Sequence, residues 1–227
     1  MLLERWIALA LLIAHPPVGD DTELDRPMLR CRLSEGRPVI DGILDDACWG
    51  AADVATGFTL LERRGTATQQ TRCMAAYDAE NLYIAFLCRE SDPSGIRARC
   101  TKRDGEVWLD DCVEVFLDTR HDHDTYFHLI ANRIATCFDE IGPRYPRPWS
   151  WDGAWRVATN STDLGWTAEF AISFRSLGLG MPRPGTVWGF NANRQEYRLG
   201  ERSSWSATLD SFHEPRNFGH LFFVPQL

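Results

Sequence analysis

The residues best equipped for chemistry lie in one stretch, Trp108-Leu109-Asp110-Asp111-Cys112-Val113-Glu114-Val115-Phe116-Leu117-Asp118. Val113, Val115 and Leu117 alternate with Cys112, Glu114 and Phe116, so the segment reads as a strand with apolar groups on both faces. A carboxylate there must be paired, hydrogen-bonded or opened to a cleft, because burying it alone costs several kcal/mol. The indole of Trp108, six residues earlier, adds a flat apolar ring beside a polar loop. Ring and carboxylate together suit a ligand with apolar C–H faces and hydroxyls to be oriented, each charge-assisted hydrogen bond contributing about 1.5–3 kcal/mol. The competing reading makes Trp108 a core or rim tryptophan, and Glu114 half of a structural ion pair with a strand arginine such as Arg194.

Other donors are less well grouped. Asp118, Asp122 and Asp124 alternate as in a calcium loop, but His123 and Leu129 stand where an EF-hand needs glycine and glutamate, which favours a solvated turn. His121 and His123 have the spacing of a strand-borne metal pair without a third ligand nearby in sequence. The cysteine count is odd, 7, with no C-x-x-C pair, which argues against a structural zinc site. Cys73, Cys88 and Cys112 fit strand patterns as small buried groups, and one or two disulfides could form in an oxidising compartment. A net charge of -8 and a pI near 5.2 leave no basic face for nucleic acid.

These groups must be positioned by a chain of 227 residues, the size of a single β-sandwich. Cys73–Tyr77 and Leu82–Cys88 flank the turn-forming Asp78-Ala79-Glu80-Asn81, a hairpin. Trp155–Thr159 and Trp166–Ile172 form a second one. Leu44 to Ala52 reads as one or two helical turns with Trp49 packed inward, and Trp155, Trp166 and Trp188 as core residues. The loop 142–151 is too proline-rich for a sheet interior, and its Trp149 and Trp151 could extend a binding surface. The expected fold is all-β, a two-sheet antiparallel, jelly-roll-like β-sandwich with short helical turns. At the N-terminus, Trp6–Ala14 has the length of a signal-peptide core and is too short to span a bilayer. Residues 1–19 are therefore expected to be a signal peptide, 20–30 a linker and 31–227 the domain, with a secreted or periplasmic location.

Six motifs occur in register: Asp41-Gly42-x-Leu44-Asp45-Asp46-x-x-Trp49, Asn81-Leu82-Tyr83-Ile84-Ala85-Phe86, Asp110-Asp111-x-Val113-Glu114-Val115-Phe116-Leu117-Asp118, Gly165-Trp166-Thr167-Ala168-Glu169-x-Ala171-Ile172, Trp188-Gly189-x-Asn191, and Phe212-His213-x-Pro215-x-x-Phe218-Gly219-x-Leu221. Together they resemble the family 9 carbohydrate-binding modules and their stand-alone relatives. The resemblance implies non-catalytic sugar binding, often beside a polysaccharide-degrading enzyme, and sometimes a structural calcium, for which Asp41, Asp110 and Asp111 are the oxygen donors. It also implies two rings clamping a terminal sugar. The first matches Trp108; the second matches Phe212, with Trp205 as a nearby substitute. Glu114 matches the hydroxyl-binding carboxylate, and Asn193 or Arg194 a polar position on the Trp188 strand. Where the resemblance implies an arginine, this chain carries Ile130, with His128 on the same face.

Three other readings compete. A glycosidase would draw two carboxylates from Glu114, Glu169 and Glu196. A haem- or redox-binding sandwich would need an axial pair, for which Met74 and His128 are the candidates. A structural domain whose sugar site has decayed is the third, suggested by Ile130.

Overall fold

Short runs of β-branched and aromatic residues, broken by Asp, Asn and Gly, favour strands over helices along almost the whole chain. The computed structural model describes residues 26–63, 65–143 and 149–226. The expected signal peptide, most of the linker and the centre of the proline-rich loop lie outside them. In chain order the strands are β1 (Met28–Leu33), β2 (Val54–Ala55), β3 (Thr59–Leu60), β4 (Thr71–Tyr77), β5 (Asn81–Arg89), β6 (Cys112–Asp118) and β7 (Tyr126–Asn132). They continue as β8 (Cys137–Gly142), β9 (Trp149–Ser150), β10 (Trp155–Thr162), β11 (Gly165–Ser173), β12 (Val187–Glu196), β13 (Glu201–Ser204) and β14 (Gly219–Val224). One short α-helix, α1 (Ala47–Gly50), precedes β2. β1 starts within the stretch assigned to the linker, because Leu29 and Cys31 are buried and the strand pairs with β14 from Met28 onward.

The ladder runs β10-β11-β5-β4-β1-β14-β12-β6-β7-β8-β9. Two antiparallel blocks, β10-β11-β5-β4 and β14-β12-β6-β7-β8-β9, are therefore joined through β1, which pairs in parallel with both β4 and β14. The all-β expectation holds. The fully antiparallel one does not, since the first strand takes the gap between two strands that run its own way. The blocks face each other across one core that takes Ile84, Phe86 and Phe170 from one side and Val113, Val115 and Leu117 from the other. Trp155 stacks on Phe170 with ring centres 5.5 Å apart, and Tyr77 meets Phe223 edge-on at 5.1 Å. The far ends of the ladder are tied by a side chain, Trp155 on β10 donating its Nε1–H to Asp139 on β8 at 2.6 Å. All seven cysteines are free thiols, so no disulfide staples the sandwich.

Two buried polar assemblies hold loops to this frame. Glu169 on β11 points away from the main core, where its carboxylate accepts hydrogen bonds from Trp49 Nε1 at 2.7 Å, the Gly42 amide at 2.7 Å and the Asp41 amide at 3.2 Å. Gly42 has φ of 86°, and a Cβ there would lie 2.6 Å from the Thr159 carbonyl carbon, so glycine is required. Trp49 thus closes an outer cluster with Ala76, Tyr83, Ala85 and Ala171 and does not enter the central core. At one end of the sandwich, fully buried Arg194 donates to the carbonyls of Arg89 at 2.7 Å and Gln69 at 3.2 Å, and lies 3.6 Å from Glu90. Arg198 donates to Glu90 at 2.6 Å, with Glu196 and Asp111 beside them.

Two outcomes are expected. Glu169→Ala leaves an indole N–H and two amides without their acceptor, and should lower unfolding free energy by about 2–4 kcal/mol in denaturant titration; a loss below about 0.5 kcal/mol would contradict the clamp. The Glu196 carboxyl is pushed up to about 7, by burial first and then by Glu90 and Asp111. Because its folded-state value is raised, its contribution is complete below the unfolded value of about 4.3 and is lost as pH rises through about 7. Glu196→Gln should therefore gain stability relative to the parent at pH 8 and not at pH 4, and an equal difference at both would refute this assignment.

Candidate functional site

Strand register decides which side chains share a face. Glu114 on β6 stands opposite Ile130 on β7 and Asn193 on β12. Phe116 stands opposite His128, which in turn faces Glu140 on β8. Val113, Val115 and Leu117 turn the other way into the core, so Glu114, Phe116, His128, Ile130 and Glu140 occupy the outer face of this block. Two connections roof that face. The 3-10 turn Val107–Leu109 brings in Trp108, and the segment before β14 brings in Phe212 and His213. Between them lies a cavity of about 370 Å³ lined by Trp108, Glu114, His128, Glu140, Gln195 and Phe212, among others.

The rings are firmly set. Trp108 is half-buried against Phe138, with ring centres 5.2 Å apart and planes at 81°. Phe212 is buried in a cluster with Leu61, Phe116, Tyr126 and Phe218. Gln195 ties ring to carboxylate, its Nε2 donating to the Trp108 carbonyl at 2.8 Å and reaching Glu114 Oε1 at 3.5 Å.

The floor is a charge triad. His128 Nε2 meets Glu114 Oε2 at 2.8 Å, and His128 Nδ1 meets Glu140 Oε1 at 3.1 Å. Carboxylate partners on both ring nitrogens favour the charged form of the imidazole. Burial alone would push the His128 value down, but the hydrogen bonds to Glu114 and Glu140 outweigh it and the net shift is upward. Phe116 stacks on the same imidazole at 4.0 Å. An imidazole thus faces both carboxylates although the arginine position is the buried Ile130.

Of the residues singled out in the sequence, Trp108, Glu114, His128 and Phe212 come together here. Asn193 shares their face but is fully buried and does not line the cavity, and its amide atoms have no hydrogen-bond partner among the described residues. Arg194, one residue on, projects through the opposite face into the Glu90 cluster, and so pairs neither with a ligand in the cavity nor with Glu114. Trp205 follows Ser204, the residue opposite Asn193, and packs inward on Phe190 at 5.7 Å as core. Trp151 packs on Phe127 at 4.9 Å, and Trp149 lies outside the residues whose side chains are described.

Asp41, Asp110 and Asp111 do not share one group of donors; Asp111 lies with Glu90 and Glu196. Asp41 Oδ1 accepts the Ile43 amide in an exposed turn. Asp110 Oδ2 accepts from the Arg99 and Cys100 amides and from Asn132 Nδ2, while Asp111 accepts from the Arg97 and Tyr197 amides. Asp118 likewise accepts the Asp122 and His123 amides. Met74 packs in the outer Trp49 cluster on the other block, so it forms no axial pair with His128. Glu169 and Glu196 are committed to the assemblies described above, away from Glu114. Sequence reading missed Gln195, Phe138, Glu140 and His213. Gln195 could have been found from its parity with Asn193; Glu140 required the β7–β8 register, and His213 the path of a loop.

Residues 40–225 match the family described as carbohydrate family 9 binding domain-like. The chain is 26% identical over 205 residues to endo-1,4-beta-xylanase A of Thermotoga maritima, covering 83% of this chain but only 17% of that enzyme. Among solved structures, a carbohydrate binding module family 9 from Caldicellulosiruptor kristjanssonii in complex with cellotriose shares the fold at a TM-score of 0.65 and 20% identity, covering 87% of this chain and 95% of that one. The same module in complex with glucose superposes with a TM-score of 0.63, again at 20% identity, over 87% of this chain and 97% of that one. With the match running from the turn before the Trp49 helix to the end of the last strand, the chain belongs to the carbohydrate family 9 binding domain-like family.

Proposed function

We propose that this domain binds carbohydrate without catalysis, taking a terminal sugar into the cavity over β6 and β7. The observation that carries this reading is that Trp108 and Phe212 line the same cavity as Glu114. An indole and a phenyl ring offer apolar faces to the C–H groups of a pyranose, and a buried carboxylate beside Gln195 offers oriented acceptors and a donor to its hydroxyls. The cavity volume, about 370 Å³, suits one or two sugar rings more than a long chain segment. Against hydrolysis stands the imidazole of His128, which bonds both Glu114 and Glu140 and leaves neither as an independent acid or nucleophile.

The matched relative is a xylanase several times longer than this chain. This supports a role beside polysaccharide-degrading enzymes and a secreted or periplasmic setting. No helix among the described residues is long and apolar enough to cross a membrane.

Isothermal titration against soluble mono- and disaccharides, including glucose, cellobiose and xylobiose, is expected to show binding with no product formed. Trp108→Ala should weaken it at least tenfold, and Glu114→Gln by about 10–100-fold, the equivalent of one charge-assisted hydrogen bond. No binding to any sugar, or unchanged affinity in a folded Trp108→Ala variant, would remove the proposal.

A further inference from the structure

The cavity holds more nitrogen and carboxylate donors than a sugar ring needs. His128 on β7, Glu140 opposite it on β8 and His213 from the loop before β14 each offer one donor atom, and those atoms lie within 4.8 Å of one another. Glu114 Oε2 sits 2.8 Å from His128 Nε2, and the Tyr126 hydroxyl 2.9 Å from His213 Nδ1. Such outer partners are what fix the ring and the tautomer of metal-bound histidines. His128 Nδ1 faces Glu140 Oε1, and an imidazole nitrogen of His213 completes the group. His128 Nδ1 and Glu140 Oε1 are already 3.1 Å apart, close to the separation of neighbouring ligands on an ion with bonds of about 2.0–2.2 Å.

We propose that His128, His213 and the Glu140 carboxylate form a binding site for a divalent transition-metal ion of the zinc class, with its remaining position open to the cavity. Two imidazoles and one carboxylate favour zinc, cobalt or nickel over calcium, which takes six to eight oxygen ligands. Binding requires His128 to give up any Nδ1 proton to solvent while Nε2–H stays on Glu114, and the dication sits between the two carboxylates. Because the ligands come from two strands and one loop, the ion would also pin His213, and with it the adjacent ring of Phe212, to the sheet. Water or a ligand hydroxyl completes the shell. The site stands on its own donors, whether or not the cavity takes a sugar.

The test uses the full chain stripped with a chelator and titrated with zinc chloride, and separately with cobalt chloride followed by its visible ligand-field bands. One equivalent of zinc is expected, with cobalt bands of a nitrogen- and oxygen-ligated ion. His213→Ala, on a half-buried loop, and Glu140→Gln should each weaken zinc at least tenfold while far-UV circular dichroism stays unchanged. His121→Ala removes a separate imidazole pair, in which His121 Nε2 lies 3.1 Å from His220 Nδ1, and should leave the affinity intact. The site is overturned if zinc does not bind, if calcium binds as tightly, if folded His213→Ala retains full affinity, or if His121→Ala abolishes binding. Sugar titration of the same samples keeps the two readings apart: sugar binding without zinc binding overturns this one alone, and zinc binding without sugar binding upholds it.

Discussion

The constraint on which the rest of the structure depends is that β6 has no exposed residue. A strand covered on both sides cannot leave any polar group to water, so each must find its partner within the protein. One face resolves this with Val113, Val115 and Leu117 in the common core. The other cannot be purely apolar, since it carries Glu114, and the surrounding elements answer to that carboxylate. β7 supplies the imidazole, β8 the second carboxylate, β12 the amide of Gln195, and two loops roof the remainder with rings. The cavity is what remains where that roof does not close.

Charge is placed economically in this arrangement. Ile130 occupies the position where the family resemblance implies an arginine, and an apolar side chain there would leave Glu114 without a cation on its own strand pair. His128, two residues earlier on the same face, takes the role from a different register position, and Glu140 stabilises its charged form. The two carboxylates share one imidazole, with Phe116 stacked on its ring. On the inner face the same logic recurs with the sign reversed: Arg194 is buried among carbonyls and the Glu90 cluster.

Much of the frame was legible in the sequence because it is local. The Asp78–Asn81 hairpin, the hairpin at Asp163-Leu164 and the helical turn carrying Trp49 follow from turn chemistry and alternation. The motif around Asp41-Gly42 and Trp49 and the motif ending in Glu169 have a joint cause that spacing alone does not reveal: one carboxylate accepts from all three of those residues. Alternation placed Glu114 and His128 on one face, whereas Trp108 arrives beside them from a 3-10 turn rather than from the strand. Alternation failed where a one-residue choice reverses the face, so Arg194 and Trp205 turned inward while their neighbours Asn193 and Ser204 turned outward. Glu140 and His213 depend on which strands pair and where a loop crosses them, and neither fact is local.

The parallel pairing of β1 with β14 has a mechanical meaning. Met28 lies opposite His220 and Arg32 opposite Val224, so the chain enters this pair at one end of the ladder and leaves it at the other. Tension applied through the two flanking segments runs along the strands and loads their hydrogen bonds in shear, all at once. An antiparallel pair held at one end would instead unzip bond by bond. Force passing through the domain from one flank to the other would thus be borne by the β1–β14 pairing as a whole.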